Sequence, residues 1–253
     1  MTNNIIKLKS TIGDNFIYAK VKNNGMSYMW FSDDTEQYIP KSYQSLYNKY
    51  DLDKFHLTYF YPLFTCFNYM INPKTCLCIG LGGGHIPLFL QKKLPNMYIS
   101  VVEIDKSVYE VAKYMGFTEE KYTKIYIENG ITFIENTDNE YDVIIIDLDG
   151  EESFEGFDFL DVSKILNNNG ILVINCYSQT KTNDLKSQLK SNFMCIKHYE
   201  LENNSVYLCT KNLNKFENMM EPITQNTLSP IFDKYRNEFI EFMNTCKPKM
   251  ILS

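Results

Sequence analysis

From residue 75 onward, short apolar segments alternate with segments of helical spacing, and this alternation limits the possible folds more than any other feature. We expect strands at residues 75–80, 98–104, 124–128, 141–147, 170–176, 193–199 and 205–210. We expect helices near residues 86–93, 107–114, 131–136, 155–167 and 181–191. Regular β–α alternation predicts a parallel sheet with helices on both faces and the carboxyl ends of its parallel strands at one rim. The last two strands are expected to pair antiparallel at an edge.

The segments before and after this alternating region have different sequence patterns. Residues 5–31 alternate apolar and polar side chains around two turn-forming stretches, which is typical of short antiparallel strands. Residues 53–71 are aromatic and apolar almost all round, which predicts a buried helix. After Pro230, the stripe of Ile231, Tyr235, Phe239 and Phe242 predicts a C-terminal helix. We therefore expect a small β region at 1–52 and an α/β domain at 53–253.

A glycine-rich turn follows the first strand of the expected sheet. Gly80, Gly82 and Gly84 lie in the run Gly-Leu-Gly-Gly-Gly, directly before a helical segment. Glycine allows a sharp backbone turn and lets a ligand approach without Cβ atoms in the way. Such a turn alone also occurs for packing reasons.

Polar side chains then end three successive strands. Glu103 follows the glycine turn by about 20 residues, where a carboxylate accepts ribose hydroxyls in nucleoside-binding sites of this architecture. Asn129 ends the third strand, where its amide could contact an adenine edge. The alternative is that this residue belongs to an ordinary turn. Asp147 and Asp149 end the fourth strand and would make the rim negative. Together these features predict a nucleoside site; a dinucleotide-binding dehydrogenase is an alternative that lacks an evident substrate region.

Composition and charge exclude several other kinds of site. The net charge is −6, with no basic stripe, which argues against nucleic-acid binding. Seven cysteines without a CxxC pair and three scattered histidines predict no disulfide framework and no metal site. No signal-peptide pattern and no apolar run of about 20 residues is present, so we expect no membrane partner and a cytoplasmic location.

Four motifs in this sequence resemble the spermidine-synthase-like superfamily of S-adenosylmethionine-dependent transferases. They are Cys-Ile-Gly-Leu-Gly-Gly-Gly-His-Ile-Pro from Cys78, Val-Val-Glu-Ile-Asp from Val101, Glu-Asn-Gly from Glu128 and Tyr-Asp-Val-Ile-Ile-Ile-Asp from Tyr141. Within the superfamily they are most similar to the methyltransferase-like 13 type. The similarity covers about residues 75–210, and more loosely residues 5–70.

The resemblance implies a fold and a set of roles. The fold would be a Rossmann-like, seven-stranded methyltransferase sheet with helices on both faces, preceded by N-terminal β-hairpins. The cofactor would be S-adenosylmethionine or its decarboxylated form. Asp147 would face the transfer site. Beside the resemblance, chemistry makes both Asp147 and Asp149 candidate catalytic residues, since either carboxylate could orient an amine acceptor or receive its proton. The implied cofactor-binding residues are Gly80, Gly82, Gly84, His85, Glu103, Ile104, Asn129, Asp147 and Gln37.

Departures from the family pattern bear on the reaction. By resemblance, aminopropyltransferases carry Asp in the glycine turn, at the place taken here by His85, and that Asp holds the cationic tail of decarboxylated S-adenosylmethionine. The alternative for His85 is a helix-start residue with local contacts. The family's Asp-x-x-Asp reads Asp147-Leu148-Asp149 here, and its Tyr-x-Glu motif has no counterpart beyond Phe55-His-Leu-Thr-Tyr59.

These departures favour methyl transfer to a small amine or a protein. Aminopropyl transfer to a polyamine is the first alternative, and an inactive nucleoside-binding partner subunit is the second. The aromatic segment 55–69 is expected either to pack on the chain's own sheet or to form a homodimer contact.

Overall fold

The computed structural model describes residues 5–33, 43–148, 154–176 and 182–252. Its strands form two sheets, one of four strands at the N-terminus and one of eight strands in the centre. Among the described residues, no helix combines the length and the apolar character needed to span a bilayer.

The N-terminal sheet is antiparallel and has the order β1-β2-β3-β4. Its strands are β1 (Ile5–Lys9), β2 (Phe16–Val21), β3 (Met26–Ser32) and β4 (Ser45–Asn48). Alternating side chains such as Ile17, Ala19 and Met29 are buried on one face, where they form a cluster with Val108 and Val111 of the helical segment Lys106–Met115. The prediction of short antiparallel strands in this region is confirmed, and an apolar interface holds this sheet against the helical segment Lys106–Met115.

The central sheet has the order β12-β10-β11-β9-β8-β5-β6-β7. Strands β5 to β9 are parallel to one another, whereas β11, β10 and β12 join the β9 edge in antiparallel pairs. The bounds are β5 (Thr75–Ile79), β6 (Tyr98–Glu103), β7 (Thr123–Ile127), β8 (Tyr141–Asp147), β9 (Leu166–Cys176), β10 (Cys195–Glu200), β11 (Ser205–Thr210) and β12 (Lys249–Leu252).

Helices cover both faces of the central sheet, as the β–α alternation predicts. They are α1 (Phe60–Phe64), α2 (His85–Lys93), α3 (Lys106–Met115), α4 (Gly130–Asn136), α5 (Phe159–Ile165), α6 (Thr182–Asn192), α7 (Leu213–Met220) and α8 (Arg236–Thr245), with a 3₁₀ turn at Thr65–Tyr69. Along β8, Val143 and Ile145 join one apolar cluster, and Ile144 and Ile146 join another. Because successive strand residues point to opposite faces, both faces of the sheet are buried.

The structure differs from the sequence prediction at several places, of which three concern the central sheet and the helices around it. The sheet has eight strands instead of seven, because β12 pairs with β10 and covers the edge at which the β10–β11 pair was expected to end. The C-terminal helix begins at Arg236 and not soon after Pro230, because Tyr235 has a left-handed φ of 56° that a continuing helix does not allow. The aromatic segment 53–71 is helical only in α1 and the 3₁₀ turn that follows it.

Candidate cofactor and transfer site

The carboxyl ends of β5, β6, β7 and β8 lie at one rim, because these strands are mutually parallel. The glycine turn follows β5, Glu103 ends β6, Asn129 follows β7 and Asp147 ends β8. The topology therefore brings together on one rim the glycine turn, Glu103, Ile104, Asn129 and Asp147, whereas Gln37 and Asp149 lie outside the described residues.

The glycine turn needs glycine for its backbone conformation. Gly80, Gly82 and Gly84 have φ values of 95°, 51° and 87°, in the left-handed region that side chains disfavour. At Gly80 there is also no room, since a Cβ atom would lie 2.2 Å from the carbonyl oxygen of Asp147. The Gly80 N–H donates to the carbonyl of Val102 over 2.8 Å. Gly80 is therefore packed tightly between the ends of β6 and β8.

The N-terminal sheet holds the turn from the other side. The Gly83 N–H donates to Ser45 Oγ over 2.8 Å, and the Tyr47 hydroxyl donates to the Gly83 carbonyl over 2.8 Å. A Cβ atom on Gly83 would approach both Ser45 and Met115 to 2.7 Å. Strand β4 therefore fixes the path of the turn, a contact that sequence spacing could not reveal.

Glu103 is a buried carboxylate beside this turn, only 8% exposed. The Leu81 N–H donates to its Oε2 over 3.0 Å, and the Asp105 N–H donates to its Oε1 over 2.9 Å. Burial raises the pKa of Glu103 above its ordinary value, although these backbone donors favour the ionised form. Both oxygens are held in place by these backbone N–H donors, and the Gly82 backbone also favours the ionised carboxylate.

These residues fit the ribose end of a nucleoside. Two adjacent hydroxyl groups could donate to the two oxygens of Glu103, and the glycine turn leaves backbone next to them free of side chains. Ile104 is 43% exposed at the same rim and offers an apolar surface for a base. Asn129 is exposed, and its Oδ1 accepts the N–H groups of Ile131 and Thr132 as the N-cap of α4. Its adenine contact stays a prediction.

The structure places His85 in the core. Its ring is 3% exposed, stacks on Tyr47 with centroids 4.9 Å apart and packs edge-on against Phe60. Nε2 lies 3.0 Å from the Leu52 carbonyl, and burial lowers the pKa of His85 to about 4. These contacts support the alternative of a neutral, local structural residue, and a contact with the cofactor tail stays a prediction.

Asp147 lies in a short hydrogen-bonded network that spacing alone did not predict. The Tyr59 hydroxyl donates to Oδ2 over 3.2 Å, and Asn175 Nδ2 donates to Oδ1 over 2.7 Å. Asn204 Nδ2 in turn donates to Asn175 Oδ1 over 2.9 Å. These residues come from the segment before α1, from β9 and from the β10–β11 turn, which meet only in the folded sheet. The network orients the carboxylate, as a group that receives a proton or positions an amine requires.

A cleft of about 730 Å³ lies at the opposite end of the sheet, with a lining that includes Asn68, Lys74, Asp142 and Asn218. Lys74 precedes β5 and Asp142 lies near the start of β8, so this cleft borders the amino ends of the strands. Because ligands of open α/β sheets bind at the carboxyl ends, we assign the site to the rim and not to this cleft.

Comparison with curated proteins gives two kinds of relative. The mouse eEF1A lysine and N-terminal methyltransferase is 31% identical over 158 residues, which are 54% of this chain and 23% of that protein. The polyamine aminopropyltransferase of Vibrio vulnificus is 32% identical over 138 residues, which are 50% of this chain and 46% of that protein. The chain thus spans less than half the length of either relative.

Comparison with solved structures supports the fold. Human methyltransferase-like protein 13, solved in complex with SAH, matches with a TM-score of 0.58 and 23% identity over 73% of this chain and 93% of that one. A probable spermidine synthase from Corynebacterium glutamicum matches with a TM-score of 0.69 and 14% identity over 83% of this chain and 81% of that one. The family model for the spermine/spermidine synthase domain matches residues 62–223. The resemblance stated from the motifs is therefore confirmed, and the chain belongs to the spermine/spermidine synthase domain family.

Proposed function

We propose that this protein is an S-adenosylmethionine-dependent methyltransferase that acts on an amine, with a protein amine as the acceptor. The observation that carries the proposal is the Glu103 carboxylate, buried beside a left-handed glycine turn with both oxygens fixed by backbone N–H groups. A fixed acceptor pair at this place matches the vicinal hydroxyls of a ribose.

The absence of an acidic residue from the glycine turn supports methyl transfer over aminopropyl transfer. Residues 80–85 contain no acidic side chain, so the turn offers no carboxylate to a cationic aminopropyl tail. A methionine tail carries a carboxylate of its own and has no need of an acid there. The name of the mouse relative, a methyltransferase that acts on eEF1A lysine and N-terminus, agrees with this choice.

The chain's residues have defined parts in the proposed reaction. When bound, S-adenosylmethionine supplies a methyl group already activated by its sulfonium. Glu103 binds the ribose, and the glycine turn lets the nucleoside approach the backbone. Asp147, oriented by Tyr59 and Asn175, accepts a hydrogen bond from the incoming amine or takes its proton. The enzyme contributes mainly proximity and orientation.

The proposal is tested by calorimetric titration of the wild-type protein with S-adenosylmethionine and with its decarboxylated form. We expect tighter binding of S-adenosylmethionine, and a loss of at least about tenfold in affinity in Glu103→Ala, because a charged hydrogen-bond partner is removed. Glu135→Ala, an exposed acid on α4, is the matched control and should bind normally. Unchanged affinity in Glu103→Ala would overturn the assignment of the site.

Aminopropyl transfer is the second candidate, favoured by the Vibrio relative and by the Tyr59–Asp147 hydrogen bond at a rim suited to a cationic amine. A clear preference for decarboxylated S-adenosylmethionine in the same titration would establish it in place of methyl transfer. Incubation with labelled cofactor and purified eEF1A or polyamines then separates an enzyme from a nucleoside-binding partner subunit. Binding without turnover on any acceptor would favour the partner subunit.

A further inference from the structure

The turn between β1 and β2 contacts the cofactor site through Asp105. The Asp105 carboxylate caps α3 by accepting the Ser107 N–H over 2.8 Å. It also accepts the Ser10 hydroxyl over 2.6 Å, the Thr11 hydroxyl over 2.7 Å and the Thr11 N–H over 3.1 Å. A helix cap needs only the first of these bonds. The other three join the N-terminal sheet to a residue more than ninety positions away.

Asp105 links the β1–β2 turn to Glu103 through hydrogen bonds. The backbone N–H of Asp105 donates to Glu103 Oε1, while the carboxylate of Asp105 receives the β1–β2 turn. Asp105 is 3% exposed and Glu103 is 8% exposed, so neither side chain can exchange these partners freely for water. The position of the Asp105 backbone, and with it one oxygen of Glu103, therefore depends on the docking of the turn.

Two further bonds strengthen the same junction. The Ser107 hydroxyl donates to the Lys9 carbonyl over 2.6 Å, and the Lys106 N–H donates to Thr11 Oγ1 over 3.2 Å. Thr11 Oγ1 thus donates to Asp105 and accepts from the first residue of α3. The hydroxyl of Thr11 lies at the centre of the junction, although the residue is otherwise exposed.

We propose that Thr11 and Asp105 are positioning residues for cofactor binding, and that docking of the β1–β2 turn and occupancy of the nucleoside site stabilise each other. The proposal rests on the proposed function, since it concerns the same site. Linkage requires the effect to be reciprocal: a docked turn raises affinity for the cofactor, and bound cofactor holds the turn in place.

The test compares Thr11→Val with Thr11→Ser and with Thr245→Val. Thr11→Val removes the hydroxyl and keeps the side-chain volume, and Thr11→Ser restores the hydroxyl. Thr245 is an exposed threonine on α8 whose hydroxyl donates to Phe242, so Thr245→Val controls for the loss of such a bond elsewhere. We expect Thr11→Val to weaken S-adenosylmethionine binding by about tenfold, with KM raised and kcat nearly unchanged. Thr11→Ser and Thr245→Val should bind as the wild type does.

A second measurement separates positioning from a merely structural role. In the wild-type protein, S-adenosylmethionine should slow hydrogen exchange of the Thr11 amide, which donates to Asp105. A structural role alone would lower the Tm of the ligand-free protein and leave both affinity and cofactor-dependent exchange unaffected. If Thr11→Val binds S-adenosylmethionine with the same affinity as the wild type, this proposal is overturned and the proposed function is unaffected. Absence of binding in the wild type overturns the proposed function, and this proposal with it.

Discussion

Asp147 is held by hydrogen bonds from Tyr59 and Asn175 and is the residue proposed to receive a proton from the amine acceptor or to position it. Asp147→Asn keeps the shape of the side chain but removes its charge and one acceptor, so the hydrogen bond from Tyr59 or the one from Asn175 is lost. We expect a fall in kcat of about 100-fold or more, the range for loss of a general base. The dissociation constant for S-adenosylmethionine should change little, because the ribose is assigned to Glu103.

Single-turnover transfer of a labelled methyl group measures this effect without interference from product release. Asp184→Asn, an exposed acid on α6, is the control and should react at the wild-type rate. A normal rate in Asp147→Asn would show that Asp147 neither receives the proton nor positions the amine.

Single residues differ in how far sequence could predict them. Glu103 and Asp147 follow long apolar strands, so their place at the rim follows from strand length and sheet direction alone. Tyr59, Asn175 and Asn204 come from three separate segments, and their contacts depend on the order of strands in the sheet. His85 shows the reverse case, since the motif predicts its position but not the direction of its ring, which is set by packing against Tyr47 and Phe60.

The glycine turn is an element whose conformation can be tested directly. Gly80→Ala would place a methyl group 2.2 Å from the Asp147 carbonyl oxygen at a φ of 95°. We expect a loss of at least about 2 kcal/mol in the free energy of unfolding, from strain and overpacking together. Because the displaced carbonyl belongs to the end of β8, cofactor binding should weaken as well.

Gly13→Ala is the matched control for this substitution. The nearest atom to a Cβ at Gly13 is Ser10 Oγ at 3.9 Å, so the change should alter stability by less than about 0.5 kcal/mol. Chemical denaturation of both variants measures the difference. Equal stability of Gly80→Ala and the wild type would mean that the turn can adopt another conformation.

Secondary-structure elements followed the sequence pattern where the pattern was long and regular. The strands β5, β6 and β8 and the helices between them were predicted because apolar runs and glycine or Asx boundaries agree there. Strand β12 was not predicted, because four residues after Pro248 carry no periodic signal and become a strand only by pairing with β10. The start of α8 depends on the left-handed conformation of Tyr235, which propensity does not indicate.

The pH dependence of the stability of the whole molecule should reflect two buried histidines, His85 at the start of α2 and His198 in β10. His85 is 3% exposed and His198 is 2% exposed, and His198 stacks on Tyr207 with centroids 4.4 Å apart. Burial lowers the pKa of each to about 4 from an ordinary value of 6.5. Between these two values the unfolded chain binds a proton at each histidine and the folded chain does not. The free energy of unfolding must therefore fall as the pH falls through this range.

Because one pKa unit corresponds to about 1.4 kcal/mol, each histidine should remove roughly 3 kcal/mol of stability by pH 4. We expect His198→Phe, which keeps a ring against Tyr207, to make the loss of stability between pH 6.5 and pH 4 smaller by about that amount. Tyr199→Phe is the control, because burial raises the pKa of Tyr199 far above this range and its removal leaves the pH dependence unchanged. Urea unfolding at a series of pH values measures the slope for each protein. If His198→Phe and the wild type lost stability in parallel, protonation of this histidine would not cause the loss of stability in acid. The loss would then have to come from buried carboxylates such as Asp105. Burial raises the pKa of Asp105, but hydrogen bonds from Ser10 and Thr11 outweigh burial and hold that pKa below its ordinary value.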